Sequence, residues 1–378
     1  MASHPVPTQA EIAKIRNNWI SVILTKIIVP FYKNKKKDCR EKGENIIFFS
    51  TGMIGDSIMH IAQMRMIRNT YPKSEITFVG RSVSQEVLKD QRLIDHFIAL
   101  DKDPSVMGGR NMIRHFFKFK SIMHEINQKI YDIAITDDGT IMQAIILRMV
   151  HANRYIGFNI YGTGKMFSDP VELPDKIMHD VDKRIFLLEQ TGFIKGDARK
   201  IYFNLTEMQK TYGQEFIKKY NLKDFYIIGI HPGASMKTKQ WMQYEKLIPF
   251  ILKKKRTVAI IFEGPGEKDI VDSLFEKISC TKSVIRVSEN LEHYIAILGV
   301  CHCVICNDSG AGHIAAALGK KTIVIFGYNY PEISSPIGKD VYTLTYNKIE
   351  CKGCFSNVCK NNFQCLEHIL PEDVLKYI

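Results

Sequence analysis

From residue 45 onward the chain alternates short apolar runs with longer segments of mixed apolar and polar residues. The runs, rich in β-branched and aromatic side chains, fall at 45–50, 76–80, 97–100, 133–136 and 155–158. Between them, 56–70, 83–90, 110–129 and 141–150 have the pattern of helices. Runs that are short and apolar throughout fit strands buried on both faces. The repeat of strand, turn and helix predicts parallel βαβ units. Residues 159–205 are less regular; a helix over 180–191 and an extended 201–204 would close a first domain. A second series follows, with strands at 226–231, 258–263, 284–287, 303–307 and 322–327 and helices at 241–253, 267–278, 291–299 and 312–318. The predicted fold class is therefore α/β. Two doubly wound, Rossmann-like domains occupy 44–205 and 225–378, with a linker at 206–224. Ligands of such sheets sit at the C-terminal ends of the strands.

The first 43 residues follow another pattern. Ile12, Ile15, Trp19, Val22, Ile23 and Ile27 recur at helical spacing, while Lys14, Asn17, Asn18, Ser21 and Thr25 lie elsewhere. This predicts an amphipathic helix over 11–32, ended or bent by Pro30, then a charged link at 33–42. The 378 residues carry 52 Lys and Arg against 40 Asp and Glu, a net +12. Residues 1–43 hold nine basic and three acidic side chains, so half of that excess sits in this extension. The helix either docks on its own protein or a twin subunit, or lies on an anionic membrane surface. The charge alone fits nucleic acid, membrane or another polyanion.

Composition removes other classes. At 45% apolar the chain can bury real cores. No run reaches the ~18 apolar residues of a bilayer-spanning helix. The N-terminus lacks the order of a signal peptide. Nine cysteines are too few for a disulfide scaffold at this length. A cytoplasmic protein with mostly reduced thiols is expected.

Four loops after predicted strands could carry chemistry. The first is Gly52-Met53-Ile54-Gly55-Asp56-Ser57. Its glycines permit a sharp turn; Asp56 and Ser57 either cap the next helix or set the Asp56 carboxylate at a cleft mouth as a general base. The second is His231-Pro232-Gly233-Ala234-Ser235, then Lys239 and Trp241. It is either a solvated loop or a phosphate site, with Ser235 and loop N–H groups as donors and Lys239 as the charge. The third is Glu263-Gly264-Pro265-Gly266-Glu267, where Glu267 either accepts ribose hydroxyls or favours a helix dipole. The fourth is Asn307-Asp308-Ser309-Gly310-Ala311-Gly312-His313, leading into a helix of small apolar residues. A helix that packs this closely leaves its N-terminus as an anion site.

In their order and spacing these segments resemble glycosyltransferase family 9, the ADP-heptose:lipopolysaccharide heptosyltransferases. The likeness runs over about 45–378. It rests on GDS at 55–57, HPGAS with K-x-W at 231–241, GPGE at 264–267, NDSGAGHIAAALG at 307–319 and the following FG. It implies the GT-B fold, two Rossmann-like domains facing across a cleft, and inverting transfer with no catalytic metal or other cofactor. By position, Asp56 resembles the catalytic base. Ser235 and Lys239 resemble the diphosphate contacts, with Lys239 stabilising the leaving group, and Glu267 the ribose contact. Asp308, Ser309, Gly310 and His313 match the loop that holds nucleotide and sugar. Leu291 precedes a helix that by family position lines the adenine pocket.

Two features stand apart. Arg110, Arg114 and Lys118 are four residues apart and share one helix face, either solvated or binding an anionic acceptor. Cys351, Cys354, Cys359 and Cys365 fall within 15 residues. They are either reduced or disulfide-forming, or ligands of a structural zinc or iron; the resemblance includes an autotransporter-modifying branch with iron there. Cys301, Cys303 and Cys306 read as core.

The expected activity is transfer of heptose from ADP-heptose to a hydroxyl of the lipopolysaccharide core, at the inner face of the bacterial inner membrane. Alternatives within the fold are a protein acceptor, another nucleotide sugar, or a non-transferring sugar-nucleotide epimerase. An alternative of another class is a basic nucleic-acid-binding protein with a four-cysteine metal module. Against it, basic and aromatic residues do not interleave as in an RNA-recognition motif, so no nucleic-acid partner is expected. The oligomeric state is left open.

Overall fold

Both apolar series become six-stranded parallel sheets in the computed structural model, which describes residues 26–31, 43–88, 91–101, 112–278, 283–351 and 353–378. The chain divides into two units between Arg199 and Lys200. The amphipathic helix expected over 11–32 lies outside the described residues except for its last turn, where Val29–Phe31 form a 3-10 turn and Val29 is buried.

In the first unit β1 (Asn45–Ser50), α1 (Ile54–Thr70), β2 (Glu75–Gly80), α2 (Ser82–Leu88), β3 (His96–Ala99), α3 (Met112–Ile126), β4 (Tyr131–Thr136), α4 (Ile141–Arg148), β5 (Ala152–Asn159), β6 (Asp169–Glu172) and α5 (Asp180–Gln190) follow in turn. The strand order is β3-β2-β1-β4-β5-β6, all parallel. Strand order reverses between β1 and β4, which opens a crevice at their C-terminal ends. One face of the sheet packs Ile47, Phe49, Val79 and Ala134 against Phe119 and Met123 of α3 and Leu147 of α4. α1 is buried over most of its length and packs against α5. The sequence pattern does not announce β6. Asp169, Pro170 and Glu172 break the apolar run, and Pro170 is tolerated because an edge strand needs fewer ladder donors.

The second unit contains α6 (Glu207–Lys219), β7 (Tyr226–His231), α7 (Tyr244–Leu252), β8 (Thr257–Phe262), α8 (Lys268–Lys277), β9 (Val284–Val287), α9 (Leu291–Val300), β10 (Cys303–Asn307), α10 (Gly310–Ala317), β11 (Lys321–Phe326), α11 (Pro331–Ser334), β12 (Val341–Thr345), α12 (Gln364–Glu367) and α13 (Pro371–Leu375). Its order, β12-β11-β10-β7-β8-β9, repeats that of the first sheet when counted from its own first strand. The switch point here lies between β7 and β10. Cys301, Cys303 and Cys306 are buried core, and burial pushes the thiols of Cys301 and Cys303 up to about 12.

Two boundaries differ from the expectation. The segment read as a linker holds α6, whose N-terminus is closed by reciprocal Thr206 and Gln209 bonds. Gly213 lies within this helix. In the structure it lets α6 press onto α9, because a Cβ there would lie 2.9 Å from Val300 and 3.1 Å from the Ala296 carbonyl. Residues 201–204 do not close the first domain. They form no strand, and the Phe203 N–H donates to Ala317 O within the second unit. Among the described residues no helix is long and apolar enough to cross a membrane.

The small residues of α10 are a packing requirement. A Cβ on Gly312 would meet Cys306 Sγ at 3.0 Å, Pro336 at 3.2 Å and Val324 at 3.3 Å. Gly312→Ala is expected to be near neutral, because helix propensity gains about 1 kcal/mol against mild crowding. Gly312→Val is expected to cost about 1–3 kcal/mol by overpacking, read as a lower denaturation midpoint.

Candidate active site

In the first unit a charged cluster occupies the switch point. Asp56 sits in the first turn of α1, and its Oδ2 accepts the Met53 N–H at 3.0 Å. This fold-back needs Gly52, where a Cβ would lie 2.4 Å from the Asp56 Cβ. The other oxygen, Oδ1, accepts from Arg184 Nη2 at 2.7 Å. Arg184 comes from α5 and also donates Nε to Asp137 Oδ2 at 2.8 Å. Asp137 directly follows β4, and His60 Nε2, one turn beyond Asp56 on α1, lies 3.0 Å from the same oxygen. The Asp137 and Arg184 side chains are buried, whereas Asp56 keeps 35% of its side-chain exposure. Ser57 does not cap the helix; its hydroxyl donates to Met53 O and bonds Ser84 of α2.

Burial alone would raise the Asp56 pKa, and Asp180 adds to that. Arg184, His60 and the Met53 N–H outweigh both, so Asp56 is held below the usual carboxylate value. Asp137 is also lowered: burial opposes ionisation, but His60 and Arg184 prevail. Arg184 is raised against its own burial by Asp137, Asp56 and Asp180. The cluster is thus fully ionised at its two carboxylates and its guanidinium near neutral pH.

In the second unit the corresponding position is organised by Asn307, the last residue of β10. Its Oδ1 accepts the Trp241 N–H and the Tyr244 hydroxyl, both at 3.1 Å. Its Nδ2 donates to Pro232 O at 2.7 Å. Trp241 is itself buried and tied by Nε1 to Ile369 O at 2.8 Å. Gly327 permits the close approach of the intervening chain, since a Cβ there would lie 2.6 Å from Thr238 O. These constraints deliver Lys239, whose Nζ lies 2.8 Å from Asp308 Oδ2 and 5.5 Å from the Tyr328 ring centre. The next residue, Ser309, begins the turn into α10, and its buried Oγ has no hydrogen-bond partner among the described residues. Gly310 opens the helix and His313 is buried in it, while Ser235 is exposed on the loop.

Glu267 stands at the start of α8 and accepts the Gly264 N–H at 2.8 Å. His231 Nε2 lies 3.5 Å from its carboxylate, and His231 Nδ1 is 3.1 Å from the Tyr294 hydroxyl. Burial raises the Glu267 pKa, but His231 and the Gly264 N–H lower it by more, so the carboxylate is favoured. Burial holds the Tyr294 phenol protonated. Gly233 is again steric: its Cβ would fall 2.0 Å from the Glu267 carboxyl carbon.

The structure therefore gathers Lys239, Asp308, Ser309 and Gly310 around one helix start, and Glu267 beside His231. It adds residues that sequence reading missed. His60 lies one helical turn after Asp56, and Asp137 directly follows a switch-point strand; both positions were visible signals. Arg184, Tyr294 and Tyr328 had none. Tyr294 is the buried side chain on α9 that bonds His231.

Other expected groups are not gathered. Arg110 lies outside the described residues; Arg114 falls on α3, where Lys118 is exposed. Cys365 is buried in the second unit's core, Cys354 is exposed, and Cys351 and Cys359 are half-buried. The Cys359 sulfur accepts the Phe363 N–H at 3.1 Å. Among the described residues no three His, Cys, Asp or Glu side chains converge as metal ligands.

Two parallel six-stranded sheets of this order are the two Rossmann-like halves of a GT-B fold. The family model of glycosyltransferase family 9 (heptosyltransferase) matches residues 119–364, and the chain belongs to that family. It is similar to lipooligosaccharide heptosyltransferase 2 of Campylobacter jejuni, at 24% identity over 213 residues, 52% of this chain and 62% of that one. The fold matches a family 9 glycosyltransferase from Veillonella parvula with TM-score 0.76 and 21% identity, covering 89% and 96% of the two chains. It also matches Escherichia coli heptosyltransferase WaaC with ADP-2-deoxy-2-fluoro heptose, with TM-score 0.65 and 16% identity, over 88% and 98%.

Asn307→Ala leaves two buried donors and a carbonyl without partners. The expected cost is about 3 kcal/mol or more in denaturant unfolding. A loss under about 1 kcal/mol for the alanine variant contradicts the assigned role of the amide.

Proposed function

We propose that the protein transfers heptose from ADP-heptose to a hydroxyl of the lipopolysaccharide core, with inversion and without a catalytic metal or other cofactor. The carrying observation is the head of α10. A Lys239–Asp308 pair with its carboxylate buried, a Ser309 hydroxyl without a partner among the described residues and the first helical N–H groups converge there. Such a constellation suits a diphosphate, because a fixed cation and oriented N–H dipoles stabilise anionic oxygens.

In this reading Asp56 takes the proton of the acceptor hydroxyl. The acceptor oxygen then bonds to the anomeric carbon as the bond to the diphosphate oxygen breaks, and ADP departs with the bonding pair. Lys239, Ser309 and the helix start stabilise the charge that grows on the departing oxygen. Ser235 contacts the diphosphate from the loop, Glu267 accepts the ribose hydroxyls, and Asp308 and His313 hold nucleotide and sugar. The lowered Asp56 pKa keeps the base in its active form throughout the neutral range. The ADP-sugar bound by the Escherichia coli relative supports the donor. The name of the Campylobacter relative supports a lipooligosaccharide-type acceptor. Arg110, Arg114 and Lys118 meet the acceptor's anionic groups, and residues 1–43 hold the enzyme at the inner face of the membrane.

The test pairs a panel of nucleotide sugars with deacylated lipopolysaccharide core and with candidate protein acceptors, with products identified by mass spectrometry. The expected result is a heptose-sized mass gain on the core oligosaccharide with ADP-heptose only, abolished by Asp56→Asn. Mass gain on protein alone, or with a uridine donor, overturns the acceptor or the donor.

A further inference from the structure

Arg184 is buried with two carboxylates, and the guanidinium serves them through different nitrogens. Nη2 bonds Asp56 at 2.7 Å and Nε bonds Asp137 at 2.8 Å. Asp137 is held from the other side by His60 at 3.0 Å. A simple buried ion pair needs only one carboxylate. Here the second one lies deeper and is more enclosed than the first. We propose that Arg184 is a positioning residue for transfer, anchored by Asp137 and His60 so that only one of its nitrogens reaches Asp56. This inference rests on the reading of Asp56 as the base.

The geometry has a chemical consequence. A full bidentate pairing with Arg184 would occupy both oxygens of Asp56 and weaken it as a base. Sharing the guanidinium leaves Asp56 with one bond from Arg184 on Oδ1 and one from the Met53 N–H on Oδ2. Each oxygen then keeps a lone pair for an incoming hydroxyl. The carboxylate is fixed in orientation, and its partial exposure leaves it reachable. Charged groups facing it are His60 from α1, Asp137 after β4, and Arg184, Asp180 and Lys183 from α5. Arg81, after β2, reaches Met53 Sδ at 3.2 Å.

The sign follows. Asp56 is active when ionised, and its folded value lies below the ordinary one, so wild-type kcat/KM is flat as pH falls from 8 to about 5. Arg184→Gln removes the main favourable charge and leaves burial and Asp180 opposing. Its acid limb is expected to enter that window. Arg184→Lys keeps the charge but cannot bridge; the flat profile returns while kcat stays at least about tenfold down, because one point donor does not orient two carboxylates.

The experiment measures kcat/KM against pH for the full chain and for Arg184→Gln, Arg184→Lys and Asp56→Asn, with ADP affinity by calorimetry as the control for folding and donor binding. The expected result is unchanged ADP affinity in all variants, an acid limb in Arg184→Gln only, and loss of turnover in Asp56→Asn. Arg184→Gln with a flat profile at every pH, while Asp56→Asn is dead, overturns the positioning role alone. Retained turnover in Asp56→Asn overturns the base instead. If Arg184→Gln loses ADP affinity, Asp137→Asn is measured instead, which weakens the anchor of Arg184 and is expected to lower kcat with ADP affinity unchanged; an unchanged kcat there also overturns the proposal.

Discussion

Asn307 ends β10 with no exposed surface, so its amide must be satisfied from inside the protein. It is: one oxygen takes Trp241 N–H and Tyr244 OH, and the nitrogen gives to Pro232 O. Those bonds fix the loop after β7 at both ends. Lys239 lies between its two fixed points, and its long flexible stem is placed by them as much as by its own pair with Asp308. Gly327 and Gly233 then serve as clearances, one for the Thr238 carbonyl and one for the Glu267 carboxylate. A polar side chain at the end of a buried strand is costly unless fully bonded. Here the bonded amide is what turns a flexible loop into a fixed arrangement of charge.

The first unit solves a similar problem with charges instead of an amide. Its strand order is the same, and its cluster also lies at the switch point. Asp137 occupies the end of β4 as Asn307 occupies the end of β10. Where Asn307 ties backbone, Asp137 ties a guanidinium and an imidazole. An ion network held this far from water is a poor source of net stability. It is a good way to hold one carboxylate ionised and oriented, which is what a base needs.

Much of the fold was legible because parallel, two-face-covered strands are written as continuous apolar runs. β1, β7, β9 and β10 match the expected ranges residue for residue. The missed strands, β6 and β12, are edges, where packing on both faces no longer dictates composition. The segment read as a linker holds α6, and its Gly213 is a close helix contact in the fold. Among site residues, those in motifs directly after strands were visible, since polar residues there have no packing purpose. Arg184 was not. It lies 128 residues from Asp56 in the chain, on an ordinary amphipathic helix, and only the fold brings it back. The four cysteines of 351–365, close in the chain, differ in burial: Cys365 lies in the core and Cys354 on the surface.

In the proposed reading the second unit holds a nucleoside diphosphate through Lys239 at the start of α10. Isothermal titration of the full chain with ADP and with UDP tests it most directly, on the wild type and on Lys239→Ala. The account predicts that ADP binds in preference to UDP and that the alanine variant loses about tenfold or more in ADP affinity. Unchanged ADP affinity in Lys239→Ala, or tighter binding of UDP, would contradict it.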